Sequence, residues 1–313
     1  MSFRRRKPRT GSCLLRIIFF GILIILLGFM LARYYQSSNA EIISPLPDGY
    51  KADTSILRFI KPKKDPDVLQ DKIKQRIGNA WDNYSILVID YNSPFVLGIN
   101  ESTIYAAASI NKVPILAAIY DKAQRGQVDF DKVITVQKED IQDYGTGSIR
   151  YDPPGSTYSI KTLVRLMMQK SDNTAAFLLA NYIIGLSAVQ SYINQNGLTQ
   201  TDMVKNKTSN KDMAILFEKI YRRKITNPAL SDEMLGFMAD SDFEDRLPGL
   251  LPKGTKVFHK IGTGTGAVHD VGVVEHGKTV YYIGMFTSDV GDEEQAAKLV
   301  AEVSREIFDF MDR

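Results

Sequence analysis

The end of the chain constrains the fold most. Three β-rich runs follow one another there: "TKVFHKIG" from Thr255, "AVHDVGVVEHG" from Ala267 and "KTVYYIGMFTSD" from Lys278. Glycines separate them, and "HGK" between the last two predicts a hairpin. Strands need partners, and the other candidates lie far away, in "YSILVID" (Tyr84–Asp90) and "PFVLGIN" (Pro94–Asn100). The intervening stretch, about 107–250, carries helical apolar spacing, as in "SIKTLVRLMMQ", "NTAAFLLANYII" and "NKDMAILFEKIYRR". One sheet assembled from distant segments, with a helical lobe beside it, is therefore expected, and a cleft between the two is the natural place for a site. Helices flank the strands at both ends. Leu69, Ile73, Ile77 and Trp81 recur every four residues, and "DEEQAAKLVAEVSREIFDFM" closes the chain with acids in its first turn. No internal repeat is present.

Charge is unevenly spread. Residues 1–16 hold six of the 39 bases and no acid, leaving 33 bases against all 36 acids in the remainder. The basic excess is a tail, so no nucleic-acid-binding surface is expected. The tail runs into "IIFFGILIILLGFMLA", Ile17–Ala32, bounded by Arg16 and Arg33. That run is at the short end of what spans a bilayer, and the two arginines can snorkel to lengthen it. Bases before the run and few after it predict a single-pass membrane anchor at 17–33, with the N-terminus cytoplasmic and the rest outside. A cleaved signal peptide ending at Ala40 in "SSNA" is the rival, and either way the bulk is exported. Residues 34–66 read as a proline- and charge-rich tether, and 67–313 as the folded domain. Cys13, the single cysteine, precedes the run, so the exported part must be stable without disulfides.

Three short islands carry chemistry. In "AAASINKVPIL" Ser109 and Lys112 stand three apart where a helix opens, with Pro114 fixing the start. The plain reading is a serine cap and a solvated lysine. However, the apolar helix that follows, "VPILAAIY", suggests that Lys112 is buried, and a buried lysine needs a partner or a lowered pKa. Serine and amine at i and i+3 share a helix face, the arrangement of a nucleophile and its base. "KSDN" (Ser171, Asp172, Asn173) alone would be a helix cap. "VFHKIGTGTG" puts Lys260 on a strand that runs into Gly262, where a substrate backbone has room to approach.

Taken in order, Ser-x-x-Lys, Ser-Asp-Asn and Lys-x-Gly resemble the signature set of the penicillin-recognising serine enzymes, and of class A β-lactamases in particular. "SINKVP", "YDPPGSTYSIKTLVRLMMQKSDNTAAFLL" and "KTSNKDMAILFEKI" are similar to segments of that family, and the likeness spans about 67–313. It implies an α+β fold of the β-lactamase/transpeptidase type: a five-stranded antiparallel sheet flanked by N- and C-terminal helices, plus an all-helical lobe. It implies Ser109 as the acylated nucleophile, Lys112 as its hydrogen-bonded base or base partner and Ser171 as the proton donor to the leaving nitrogen, helped by the field of Lys260. Asn173, Lys260, Gly262 and Thr263 would bind substrate, and the backbone N–H groups of Ser109 and Thr263 would form the oxyanion hole. Asp172 would fold its own loop.

Two departures from the family pattern stand out. Ile261 replaces the hydroxyl residue between lysine and glycine, so a substrate carboxylate loses a partner unless Thr263 or Thr265 substitutes. The long loop that carries a water-activating glutamate in class A enzymes is reduced to "GLTQTDMVKN", whose single acid is Asp202. Acylation is thus better founded than turnover. The readings left open are a β-lactamase with weak deacylation, a D-alanyl-D-alanine carboxypeptidase acting on cell-wall peptide, and an antibiotic-binding module without turnover. No cofactor is expected, and no metal, since His259, His269 and His276 have no cysteine beside them. A monomer with a small β-lactam or peptidyl-D-alanine-type substrate is expected.

Overall fold

The structure, a computed structural model, describes residues 64–313. The basic tail, the expected anchor at 17–33 and nearly all of the tether lie outside the described residues. Among the described residues no single helix is long and apolar enough to cross a membrane.

The first helix, α1 (Pro66–Ile77), starts where Asp65 accepts the Asp67 N–H and Pro66 takes the first position. Its stripe of Leu69, Ile73 and Ile77 is buried. Strands β1 (Asn83–Asp90) and β2 (Val96–Ile99) follow as an antiparallel pair. The chain returns to the sheet only with β7 (Lys256–Gly264), β8 (Ala267–His276) and β9 (Thr279–Ser288). The order across the sheet is β2-β1-β9-β8-β7, all antiparallel, so the expectation of five strands from the two ends of the sequence holds. The expected hairpin turns on Gly277 and Lys278, with His276 paired to Thr279 and Gly277 at φ 57°.

These strands read as nearly continuous apolar runs because both faces of the sheet are covered. Alternation sends Ile86, Val88, Tyr281 and Ile283 toward α1 and the final helix α8 (Glu293–Met311), and Leu87, Val273, Tyr282 and Phe286 toward the helical lobe. That lobe contains α2 (Lys112–Gln124), α3 (Ile160–Gln169), α4 (Asn173–Leu178), a π-helical turn at Leu179–Ile184, α5 (Leu186–Gln195), α6 (Asn210–Tyr221) and α7 (Pro228–Ala239). The helix α2 lies at its centre, with every residue from Lys112 to Tyr120 buried. An all-round apolar helix has no other stable position. Two small ladders, β3 (Ile104–Ala106) with β6 (Lys207–Ser209) and β4 (Val133–Thr135) with β5 (Thr157–Ser159), were not foreseen. Three residues are too few to show a period.

Candidate active site

The site is built at the head of α2. Strand β3 delivers the chain to it under tight control: His269 donates from Nε2 to the Ala106 carbonyl at 2.8 Å, and Ala107 N donates to Asn206 O at 2.8 Å. Burial lowers the His269 pKa to about 4, so this imidazole is neutral and structural. Ala108 takes φ 47°, after which Ala108–Asn111 form a 3₁₀ turn leading into α2. The helix therefore opens on Lys112 and not on Ser109, and the Ser109 hydroxyl caps no backbone group. It is left to the cleft.

Lys112 is 6% exposed, and its Nζ is the hub of the site. It lies 3.0 Å from Ser109 Oγ, 3.2 Å from Ser171 Oγ, 2.7 Å from Asn173 Oδ1 and within hydrogen-bond reach of the Ser171 carbonyl. Burial lowers its pKa to about 7, with the Asp172 carboxylate opposing the shift. A neutral amine has two protons to donate, and the Ser171 carbonyl and Asn173 Oδ1 accept them, so the lone pair is free to face Ser109.

Ser171 sits between α3 and α4 at φ 50°, a strained value for a residue with a side chain. Asp172 holds that turn. Its carboxylate accepts the N–H groups of Ser148, Ile149 and Ala175, which matches the structural role expected of it. Lys260, 2% exposed, donates to Ser171 Oγ at 2.9 Å from behind. Its pKa is also well below the usual lysine range, through burial first and then the charge of Lys112. Two amines therefore share one hydroxyl, and the cost of burying charge lowers the pKa of both.

Asn173 spans Lys112 and the opposite loop, with Nδ2 donating to Tyr144 O at 2.9 Å. A Cβ at Gly145 would meet that Nδ2 at 2.6 Å, which explains the glycine. Ser109, Lys112, Ser171, Asn173 and Thr263 all line one cleft of about 550 Å³. Gly262 does not line it. Its missing Cβ instead lets β7 press against the turn that carries Ser109, where an added carbon would sit 3.0 Å from both Ala107 O and Ile110 Cγ1. The space its missing Cβ leaves on that face is taken by the turn.

Several contributors went unread in the sequence. Arg246, almost fully buried, donates to Gly262 O (3.1 Å), His269 O (2.7 Å) and Thr263 Oγ1 (2.6 Å). Nothing in "DFEDRLPG" marks it out. Asp212 accepts from Gln200 N and Thr201 Oγ1 and so fixes the short 198–206 segment. Its only sequence signal is a capping pattern, and the Ser209 side chain does accept the Asp212 N–H. Asn206, at φ 50°, accepts from Asn111 Nδ2 at 2.9 Å on the cleft wall. Asp202 turns away, with its carboxylate accepting the Val204 and Lys205 N–H groups. Among the described residues no Asp or Glu lines the cleft.

A serine and two buried amines around a second serine, set between an antiparallel sheet and a helical lobe, define a penicillin-recognising serine enzyme. The chain belongs to the beta-lactamase enzyme family, which matches it over residues 68–311. It is similar to the β-lactamase VEB-1 of Pseudomonas aeruginosa, with 24% identity over 249 residues covering 70% of this chain and 82% of that one. Among solved structures, that of PBP-A is similar, with a TM-score of 0.72 and 27% identity over 77% of this chain and 95% of that one. So is a PBP-A mutant solved as its acyl-enzyme complex with penicillin G, with a TM-score of 0.72 and 26% identity over 80% and 98% of the two chains.

Proposed function

We propose that the protein is a serine hydrolase that is acylated by β-lactams at Ser109 and releases the acyl group slowly. One observation carries this reading: Lys112 Nζ lies within 3.0–3.2 Å of the Ser109 and Ser171 hydroxyls with a pKa of about 7. As a neutral amine it takes the Ser109 proton while Oγ attacks the lactam carbonyl carbon. The backbone N–H groups of Ser109 and Thr263 hold the resulting oxyanion. Collapse breaks the C–N bond, and the nitrogen takes the Ser171 proton. Lys112 returns its proton to Ser171, whose oxygen keeps the hydrogen bond donated by Lys260. Asn173 Nδ2 keeps a second N–H for a carbonyl of the substrate's side chain. The Thr263 hydroxyl, held by Arg246, takes the place of the hydroxyl missing at Ile261 in seating the substrate carboxylate.

Release of the acyl group needs an activated water, and among the described residues the cleft has no carboxylate to activate it. Lack of a positioned general base typically costs about 10²–10⁴-fold. The relatives named as β-lactamases and the penicillin acyl-enzyme of the PBP-A mutant support the β-lactam as acylating agent. Intact-protein mass spectrometry after penicillin exposure tests this: a persistent adduct on Ser109 is expected, and no adduct together with no hydrolysis would refute it.

The same missing carboxylate favours a second reading, in which cell-wall peptide ending in D-alanine is the natural acyl donor. Release of D-alanine from a pentapeptide distinguishes it. The domain is proposed to work as a monomer outside the cell, held by the apolar run at 17–33. Protease digestion of intact cells should degrade it, and fractionation should place the uncleaved chain in the membrane.

A further inference from the structure

Resting on the reading of Ser109 as the acylated residue, we propose that His259 and Asp270 form a buried positioning pair. The pair holds the Glu244–Leu247 turn, and through it Arg246, against the Thr263 wall of the cleft. Neither residue touches the reacting groups. Alternation along β7 sends Lys260 to Ser171 and the preceding His259 to the other face. There His259, 1% exposed, places Nδ1 at 2.8 and 3.0 Å from the two oxygens of Asp270, which is fully buried on β8. The Oδ2 of Asp270 also accepts the Leu247 N–H at 3.0 Å, so one carboxylate joins β7, β8 and the turn. On the far side His259 Nε2 has no hydrogen-bond partner and lies 3.6 Å from the exposed Glu244 carboxylate.

The turn held this way is the one that presents Arg246, and all three acceptors of that guanidinium belong to the wall: Gly262 O, His269 O and Thr263 Oγ1. Burial alone would strip the proton from His259, but Asp270 and then Glu244 outweigh it and raise the pKa to about 9. The other charges in the neighbourhood are Arg246 on the turn and Lys260 on the same strand. Asp245 and Glu293, the latter at the head of α8, act on Arg246. An imidazolium opposite Asp270 leaves that carboxylate compensated and the turn locked. Loss of the proton leaves Asp270 as a buried anion held by backbone N–H and a neutral ring.

The test uses the full chain, unmodified and as His259→Gln, in two measurements. The first needs no chemistry: NMR resonances of the Arg246 guanidinium and the Thr263 amide. They should shift in His259→Gln, and in the unmodified protein they should shift as pH rises through about 9. The second is penicillin acylation, where the half-saturating concentration should rise about tenfold, the loss of roughly one charge-assisted hydrogen bond, with the limiting rate nearly unchanged. Arg246 and Thr263 resonances that stay fixed under both perturbations would overturn the proposal. Shifted resonances in a protein that penicillin never acylates would support the positioning pair while removing the proposed function. The alkaline titration of the unmodified chain keeps the test valid should His259→Gln fail to fold.

Discussion

Two walls of the cleft differ in how completely they are built. At the head of α2, Ser109, Lys112, Ser171, Asn173 and Lys260 are bound to one another by five side-chain and backbone contacts to the two amines, on backbone strained at Ala108 and Ser171. Strain of that kind persists only where surrounding structure over-determines it. The facing segment, 198–206, is as firmly placed, through Asp212, Thr201 and the Ala107–Asn206 contact. Yet it offers one amide and one thioether to the cleft, Asn206 and Met203, and no base. On the proposed mechanism, bond formation and acyl release depend on separate parts of the molecule, and one can be complete without the other.

The contrast breaks most readily at Ser109. Ser109→Ala should lower acylation by about 10⁴-fold or more, to no detectable adduct, because it removes the proposed attacking hydroxyl. Lys112→Ala should lower the acylation rate by about 10²–10⁴-fold, the usual worth of a positioned base. In the unmodified protein the acylation rate should rise with pH through about 7, as Lys112 loses its proton, and the limb should vanish in the variant. A rate flat from pH 5 to 9 would remove Lys112 from the role of base. On the other wall, Asn206→Asp keeps the acceptor for Asn111 and tolerates the positive φ. It should speed loss of the adduct by up to about 10²-fold while leaving its formation unchanged. A parallel change in both rates would show that the two walls are not separable.

Stability sharpens the same picture. His259 has its pKa raised in the folded state, so its contribution is complete below about 6.5 and is lost as pH rises through about 9. The stability gap between the unmodified protein and His259→Gln should shrink by about 3 kcal/mol between pH 6 and pH 10 in urea titrations. Lys112 acts in the opposite sense: its lowered pKa costs stability that is recovered between about 7 and 10.5, so the difference between variants is the quantity to read. The smallest effect is expected from Ile261→Thr, which restores a hydroxyl beside Thr263. It should lower the half-saturating penicillin concentration by about threefold, a fraction of a charged hydrogen bond.

The sequence made the sheet legible because its strands are long, apolar and punctuated by glycine, and because alternation on a doubly covered sheet leaves apolar runs such as "VYYIGMF". It made Ser109, Lys112, Ser171 and Lys260 legible because their order and spacing form a set. What it hid depends on long-range pairing. Arg246 and His259 gain their roles from β7 and β8 lying side by side, and neither carries a local pattern. Gly262 was read as space for a ligand, since a sequence cannot tell whether substrate or the chain's own turn fills the place of a missing Cβ. The serine of Ser-x-x-Lys was set at a helix cap, whereas the 3₁₀ turn after Ala108 frees it.

The mass of the intact protein, followed over time after a brief exposure to penicillin G, tests the central claim most directly. The account predicts a stoichiometric adduct on Ser109 that forms readily and decays slowly. Failure to detect any adduct, with the antibiotic left intact, would contradict it.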